Sequence, residues 1–543
     1  MSKNISRISS RKDHKLFEKL SQVALESPEQ QQESIQKLAK EYLVGTATLK
    51  GALSFYDFLQ PDFQNQKVHL CNGSACLLSG TQEELKRQLA DHFSESEIGE
   101  MCCLGQCYHN RAFQYEGQNY SGKVDLRDIL QNHPKPQADI PARSALEAPI
   151  LLSSTNRIDS YQSLLEQVMK QSPQEIIEKI LLSGLQGRGG AAFPMGQKLK
   201  ACQAATSNTK FVVCNADEGD PGSFSDRYLL EYQPHAVIFG MLAAAFCIGA
   251  SKAIFYIRAE YPESLISIQQ ACSMWESWLS KQRVFQNFEF KLIKGAGSYI
   301  CGEESALLSS IEGQRPEVRL RPPYPTEQGL FHQPTLVNNV ETLANIPFIL
   351  EKGHEAYRKL GTTQNPGFKL LSLDGNFNRP GILEVEMGTP LHQVVYEFAG
   401  GFNKPVKALH IGGPLGGLVP LAKIKDLTVD FDSFRDQGFD LGHASIVCIP
   451  EDYPLIKYLE HLFEFGAKES CGKCFPCRLG TQRGWEMLQS SRDIKINRQL
   501  FQDLLDTMEM GSLCGFGKAL PMPVKHAMKY FAEELNPYFQ NET

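Results

Sequence analysis

Eight of the fifteen cysteines fall into two sets whose spacing suits metal. Cys471, Cys474 and Cys477 form a Cys-x2-Cys-x2-Cys run in ESCGKCFPC, and Cys514 follows in SLCGFGKALP. Three closely spaced thiolates can wrap one face of an iron–sulfur cubane, and a distant fourth completes a [4Fe–4S] cluster. Structural zinc normally uses paired CxxC units, which this run is not. Cys71-x4-Cys76 in CNGSAC and Cys103-x3-Cys107 in CLGQC offer two sulfurs from each of two loops, the arrangement of a [2Fe–2S] cluster, with zinc or incidental cysteines as alternatives. Cys103 rather than Cys102 is taken as the ligand because the Cys-Leu-Gly-x-Cys string begins with it. The other seven, Cys102, Cys202, Cys214, Cys247, Cys272, Cys301 and Cys448, sit in apolar runs or beside motifs and read as buried small hydrophobes.

A second constellation runs from Ser183 to Asp226. Gly187, Gly189 and Gly190 leave backbone N–H groups free to close on an anionic group, and Arg188 and Lys198 add positive charge. Such a cluster is also an ordinary turn, and EIIEKILLSGL before it reads as helix, so it is not the dinucleotide fingerprint, which needs a strand there. The apolar run FVV then stops in the acidic, turn-forming loop Cys214-Asn215-Ala216-Asp217-Glu218-Gly219-Asp220-Pro221-Gly222, where a ligand's donors could be met. Further on, Ser298-Tyr299-Ile300-Cys301-Gly302-Glu303-Glu304-Ser305 follows another strand-like run, and Asn338-Asn339 opens a helix in TLVNNVET.

In this order the motifs resemble the flavin- and NADH-binding subunit of respiratory complex I and its soluble relatives, from about Leu152 to the C-terminus. The resemblance implies FMN held by Gly187, Arg188, Gly189, Gly190, Lys198, Asn215, Asp217, Glu218, Asp220, Tyr299, Gly302, Asn338, Asn339 and Thr342. It implies NAD(H) at Glu303, Glu304 and Arg321, with Phe193 and Tyr324 stacking on adenine. Glu218 and Glu304 are the expected orienting and electrostatic groups of catalysis; Glu303 has a second reading as a satisfied helix-start carboxylate. The chain departs from the family at Asp220, Leu199 and Arg321, where Glu, Trp and Lys are common. The region around the first cysteine set resembles the thioredoxin-like [2Fe–2S] subunit of complex I, so two subunits are fused here.

Flavin converts two-electron hydride chemistry into the single electrons that iron–sulfur clusters take. The resemblance therefore implies an NADH-oxidising or NAD-reducing diaphorase subunit with FMN, NAD(H), a [4Fe–4S] and a [2Fe–2S] cluster, serving other iron–sulfur and catalytic subunits of a hetero-oligomeric redox complex. The fused chain resembles the diaphorase subunit of NAD-dependent formate dehydrogenases, to whose β-grasp segment GGPLGG and GHASIVCIP are similar, and that resemblance implies a formate-type partner; it also resembles that of an NAD-reducing or bifurcating hydrogenase, the alternative. A stand-alone NADH:quinone or NADH:ferredoxin oxidoreductase and a non-catalytic electron-transfer subunit are further readings.

The elements that must position these residues define an α/β multidomain chain, since 543 residues exceed one core. Residues 1–62 form a helical arm, with Ser27-Pro28-Glu29-Gln30 opening one helix. Residues 63–132 form the thioredoxin-like [2Fe–2S] domain, with strand KVHLC, helix TQEELKRQLADHF and strands near Met101 and Phe113. Residues 133–150, rich in Pro and Ala, read as a linker. Alternating strands and helices give an α/β domain with a partly parallel sheet at 151–362, which the resemblance makes the FMN- and NADH-binding domain; 363–450 resembles the family's β-grasp (SLBB-like) domain, and 451–543 reads as a helical [4Fe–4S] domain. His410-Ile411-Gly412-Gly413-Pro414-Leu415-Gly416-Gly417 reads as a structural turn rather than a second phosphate loop. The net charge of −7 without a basic tract makes no case for nucleic acid. MSKNISRISSRKDHK has no apolar run for a signal peptide, and Ala236–Ala250 is too short to span a bilayer, so a cytoplasmic protein with no membrane span is expected.

Overall fold

The computed structural model describes residues 15–135, 139–154 and 157–540. Fourteen residues of the polar N-terminal stretch and residues 136–138 of the expected linker lie outside the described residues.

Helices Leu16–Val23, Pro28–Tyr42 and Thr46–Leu53 form the arm and bury Leu20, Ile35, Leu38 and Tyr42 among themselves. The second starts where the sequence places it, and the Ser27 N–H donates to Gln30 Oε1 at 3.4 Å. The arm is anchored by Tyr56, whose hydroxyl donates to Ser310 Oγ at 2.8 Å.

Next come β1 (Val68–Cys71), β2 (Ile98–Met101), β3 (Phe113–Tyr115) and β4 (Gln118–Tyr120), ordered β2-β1-β3-β4. Only β1 and β2 are parallel, and helix Gln82–Ala90 lies between them in sequence. Val68 and Leu70 face Leu85, Leu89 and Phe113, so the alternate positions leave Cys71 on the other face of the strand.

The stretch expected as a linker is more than that. It supplies β5 (Ala142–Ser144), which adds a parallel edge to the β-grasp sheet through residues 382–384. There the buried Glu384 carboxylate accepts from Ser144 Oγ at 2.8 Å and from the Leu151 N–H at 2.6 Å. Composition conceals this strand because a short edge strand held by side-chain bonds needs no apolar period.

The flavin-side sheet is β6 (Phe211–Ala216), β7 (Lys252–Ile257), β8 (Glu289–Lys294) and β9 (Thr335–Asn339), ordered β8-β7-β6-β9. All its pairs are parallel, where only part is expected to be. Parallel strands need crossovers, and helices Pro234–Ile248 and Pro262–Leu279 supply them. The first is apolar around its whole circumference and sits inside the main core. Gly240 lets it approach closely: a Cβ there would lie 2.2 Å from the Leu343 carbonyl oxygen.

The β-grasp sheet adds β10 (Phe368–Leu373), β11 (Gly381–Glu386), β12 (Val406–Ile411), β13 (Gly417–Pro420) and β14 (Ser445–Pro450), in the order β13-β12-β14-β10-β11-β5. The glycine string after His410 is the turn between antiparallel β12 and β13, as expected. Helices Leu455–Glu469, Phe475–Ser490, Arg498–Gly511 and shorter ones complete the chain.

The two sheets are tied by a fully buried ion pair. The Lys369 ammonium on β10 contacts the Glu341 carboxylate, which also accepts from the Leu370 N–H at 3.0 Å. Lys369→Met strands that carboxylate in the core and is expected to cost about 3–5 kcal/mol, read as a fall in thermal midpoint. Lys369→Met with Glu341→Leu should recover most of it; a single variant as stable as wild type would show the pair to be dispensable.

Candidate functional site

The parallel sheet decides where the site lies. β6 and β9 run side by side with Cys214 opposite Asn338 and Asn215 opposite Asn339, so the amides emerge together at the carboxyl ends of the strands. A cavity of about 600 Å3 opens there. The Gly187–Phe193 loop forms one wall, Asn215, Asn338, Asn339 and Thr342 the floor, and Gly302, Glu303 and Glu304 the opposite wall. Phe193 and Tyr324, about half exposed, stand at the mouth with Arg321.

The cavity is built to receive polar groups. The Lys198 ammonium projects into it from helix Met195–Ala204, 3.1 Å from Glu304 Oε2 and 3.2 Å from the Val337 carbonyl oxygen. Arg321 contacts Glu303 at 2.5 Å and Glu304 at 3.1 Å. Asn215 donates to the Gly302 carbonyl at 2.8 Å, which ties the floor to that wall. Asn338 Nδ2, in the lining, is buried without a partner within the protein; Asp217 Oδ2 is likewise unpartnered but lies beside Gly302 outside the lining, and burial holds its carboxyl well above the usual range. Orphaned polar atoms at a cavity are what a polar ligand would satisfy. Gly189 keeps the loop close to the floor, since a Cβ there would lie 3.0 Å from Asn339 Cβ.

Several expected site residues lie elsewhere. The glycine loop turns the Arg188 side chain away from the cavity into the core, where Nη2 donates to Tyr357 Oη at 2.9 Å and to the Pro366 carbonyl at 2.6 Å. Its backbone N–H, which donates to Thr342 Oγ1 at 2.8 Å, fixes the loop; its charge does not serve the cradle. Gly190, at φ 106°, packs on Gly442 behind the loop. Glu218 does not face the cavity either. Its carboxylate accepts from Ser223 Oγ at 2.7 Å and from the N–H groups of Asp226 and Arg227 at 3.0 Å, fastening the start of helix Ser225–Tyr232. In this structure Glu218, expected as an orienting group of catalysis, is a buried carboxylate at a helix start. Tyr299 and Asp220 bond to each other at 2.5 Å beside the cavity, with the ring against Phe465 and Phe516. Glu303 combines both of its readings: it lines the cavity and accepts from the Ser305 and Ala306 N–H groups at 2.9 Å.

Both cysteine sets converge. Cys471 follows helix Leu455–Glu469, Cys474 and Cys514 cap helices Phe475–Ser490 and Gly515–Ala519, and Cys477 lies in the first turn of the former. The Cys477 thiol is pushed up to about 12, first by burial and further by the sulfurs of Cys474, Cys514 and Cys471. Three thiols at helix starts and a fourth just past a helix end fit a cubane. In the other set all four cysteines are essentially inaccessible, the Cys103 and Cys107 sulfurs lie 3.3 Å apart, and Cys71 contacts Cys76 and Cys103. Cys102 is only half-buried and packs toward the Cys471 side. The other six unassigned cysteines are buried, as expected.

Sequence reading misses Gln197, Thr326 and, within TLVNNVET, Val337 in the lining, and misses the group behind the floor. There Asn339 Nδ2 donates to Asp226 Oδ2 at 2.6 Å, and His443 Nε2 lies 3.2 Å from the same oxygen. Burial alone would depress the His443 imidazolium, but Asp226 outweighs it and raises the group to about 9, while burial pushes Asp226 up to about 6. A histidine raised above its ordinary value of about 6.5 contributes stability in full below that pH and loses it as pH rises through about 9. His443→Gln should therefore lower the thermal midpoint at pH 6 and converge on wild type by about pH 9.5; a deficit constant across that range would contradict the ion pair.

Comparison with known proteins adds independent findings. Residues 180–348 match the Nuo51 FMN-binding domain, and residues 457–538 match the NADH-ubiquinone oxidoreductase-F iron-sulfur binding region. The chain is 38% identical over 397 residues to an NADH-quinone oxidoreductase subunit of Rhizobium meliloti, covering 71% of this chain and 93% of that protein. It is 36% identical to NADP-reducing hydrogenase subunit HndC of Solidesulfovibrio fructosivorans, over 71% of this chain and 81% of that one. With NAD-reducing hydrogenase HoxS subunit alpha of Cupriavidus necator it shares 32% identity over 525 residues, 89% of this chain and 85% of the relative. A chain in the crystal structure of an air-oxidized NAD+-reducing [NiFe]-hydrogenase superposes with a TM-score of 0.84 at 27% identity, over 97% of this chain and 94% of that one. Among the described residues no helix is long and apolar enough to cross a membrane.

Proposed function

The chain belongs to the family of flavin- and iron–sulfur-binding subunits of NADH:quinone oxidoreductases and NAD-reducing hydrogenases, and on that premise we propose that it is the diaphorase subunit of a hydrogenase-type complex. The observation that carries the reading is the cavity where glycine loop, Lys198, paired asparagines and acidic pair meet, with the Cys471 set packed against Ile300 and Ala306 beside the acidic pair and the turn after Cys71 packed against Pro221.

The residues fit FMN. Gly187 and Gly189 leave room for a phosphate beside the Lys198 ammonium, and Asn338 Nδ2 offers an unused donor for the ring system. FMN, when bound, exchanges hydride with NAD(H) and single electrons with iron–sulfur centres. The chain's own part is to bind and orient. Phe193 and Tyr324 present flat faces at the mouth for adenine, and Arg321 holds Glu303 and Glu304 in place to meet the dinucleotide's hydroxyl and amide donors. Glu304, balanced between Lys198 and Arg321, is the group placed to orient the nicotinamide. Cys471, Cys474, Cys477 and Cys514 would hold a [4Fe–4S] cluster, and Cys71, Cys76, Cys103 and Cys107 a [2Fe–2S] cluster. All fifteen cysteines are unpaired, which suits a reducing compartment such as the cytoplasm.

A hydrogenase-type partner is favoured over the expected formate dehydrogenase because the likeness to the HoxS alpha subunit takes in 89% of the chain, including most of the fused N-terminal part. The formate reading rests on GGPLGG and GHASIVCIP, which the fold uses as the β12–β13 turn and the start of β14. Subunits co-purified with the full chain decide between them: a nickel-containing partner supports the proposal, and a molybdenum- or tungsten-containing one overturns it in favour of formate. Lys198→Ala is expected to reduce bound FMN at least tenfold in purified protein; full flavin occupancy in that variant would contradict the cradle.

A further inference from the structure

The Cys103–Cys107 loop rests on two buried arginines that belong to the flavin-side domain. Arg227 Nη1 donates to the Gly105 carbonyl at 3.1 Å, and its charge is met by Glu231 at 2.8 Å. Arg258, the residue after β7, is 4% exposed and does not line the cavity. Its Nη2 donates to the Cys102 carbonyl at 2.9 Å and to Glu260 Oε1 at 2.7 Å, its Nη1 donates to the Glu218 carbonyl at 2.6 Å, and Tyr261 stacks 5.1 Å away. One guanidinium thus grips the backbone just before a cysteine ligand and the backbone of the Asn215–Asp226 loop.

The electrostatics of this place are unusual. The four cysteines are each 1% exposed, so a thiolate-held cluster there is screened little by solvent. In so dry a setting a nearby fixed charge weighs heavily on the potential of an iron–sulfur centre. We propose that Arg258 sets the reduction potential of the centre held by Cys71, Cys76, Cys103 and Cys107, raising it so that the centre accepts an electron from the flavin side, while Glu260 opposes it. This rests on the reading that those cysteines hold a [2Fe–2S] cluster. A [2Fe–2S] centre held by Cys71, Cys76, Cys103 and Cys107 would take one electron, supplied by NADH oxidation, one of its ferric ions becoming ferrous and its net charge falling by one unit. A guanidinium stabilises that added charge without a proton moving.

The test is a potentiometric titration of the full chain, with its co-purified partners, followed by the paramagnetic signal of the reduced two-iron centre. Arg258→Met should shift the one-electron equilibrium at least tenfold toward the oxidised form, about 59 mV lower. Arg258→Lys should restore most of the shift, and Glu260→Gln should move the midpoint in the opposite direction. A structural role alone would not give opposite signs in the two neutralising variants. If Arg258→Met does not fold, Arg258→Gln and Glu260→Gln still decide: midpoints within threefold of wild type in both overturn the role of Arg258. Wild-type protein that shows only the four irons of the Cys471 set and no two-iron signal overturns the cluster reading itself, and this inference with it.

Discussion

Everything in this molecule is fastened to one carboxylate. Glu218 gathers the hydroxyls of Ser223 and Ser225 and the N–H groups of Asp226 and Arg227, and so freezes the loop between β6 and helix Ser225–Tyr232. A carboxylate that accepts several hydrogen bonds in a buried setting is costly to displace. Once that loop is rigid, each neighbour has a fixed surface to meet. A Cβ on Gly73 beside the first cysteine pair would sit 3.4 Å from Pro221, and one on Gly413 in the β12–β13 turn would sit 2.5 Å from Asp220. Tyr299 reaches the same loop from the side of the Cys471 set. Three modules therefore meet on one short, acidic turn.

Much of this is legible in the chain's order of residues. The strands, the core helix at Pro234–Ile248 and both cysteine sets follow from apolar runs and cysteine spacing, because those signals are local. The paired asparagines are legible for the same reason: an Asn at a strand end that caps the next helix leaves a clear trace in TLVNNVET. What sequence does not supply is direction. Arg188 and Glu218 lie inside the right motifs, yet their side chains leave the cavity, because neighbouring residues on a tight loop point to opposite sides. Residues contributed from afar, such as His443 behind Asn339, carry no signal at all, being brought in by the packing of one sheet on another.

The buried charges show a common economy of placement. Lys369 with Glu341, His443 with Asp226 and Arg258 with Glu260 each satisfy a charge inside the protein by a specific partner from another element or the next turn. Such pairs add little net stability over apolar packing but penalise any arrangement that separates them. At a junction of several modules that penalty is useful, since it leaves one relative placement in which all partners are met.

The strand at Ala142–Ser144 bears on how such a fused chain can be divided. It lies ahead of the flavin-side sheet in sequence but completes the β-grasp sheet, and Ser144 and Leu151 occupy the oxygens of Glu384. A split gene that began its second product at Leu152 would bare the backbone of β11 and abandon a carboxylate in the interior, leaving an edge ready to stick to other chains. A workable cut lies upstream of Ala142, so the seam between the fused halves is narrower than composition suggests.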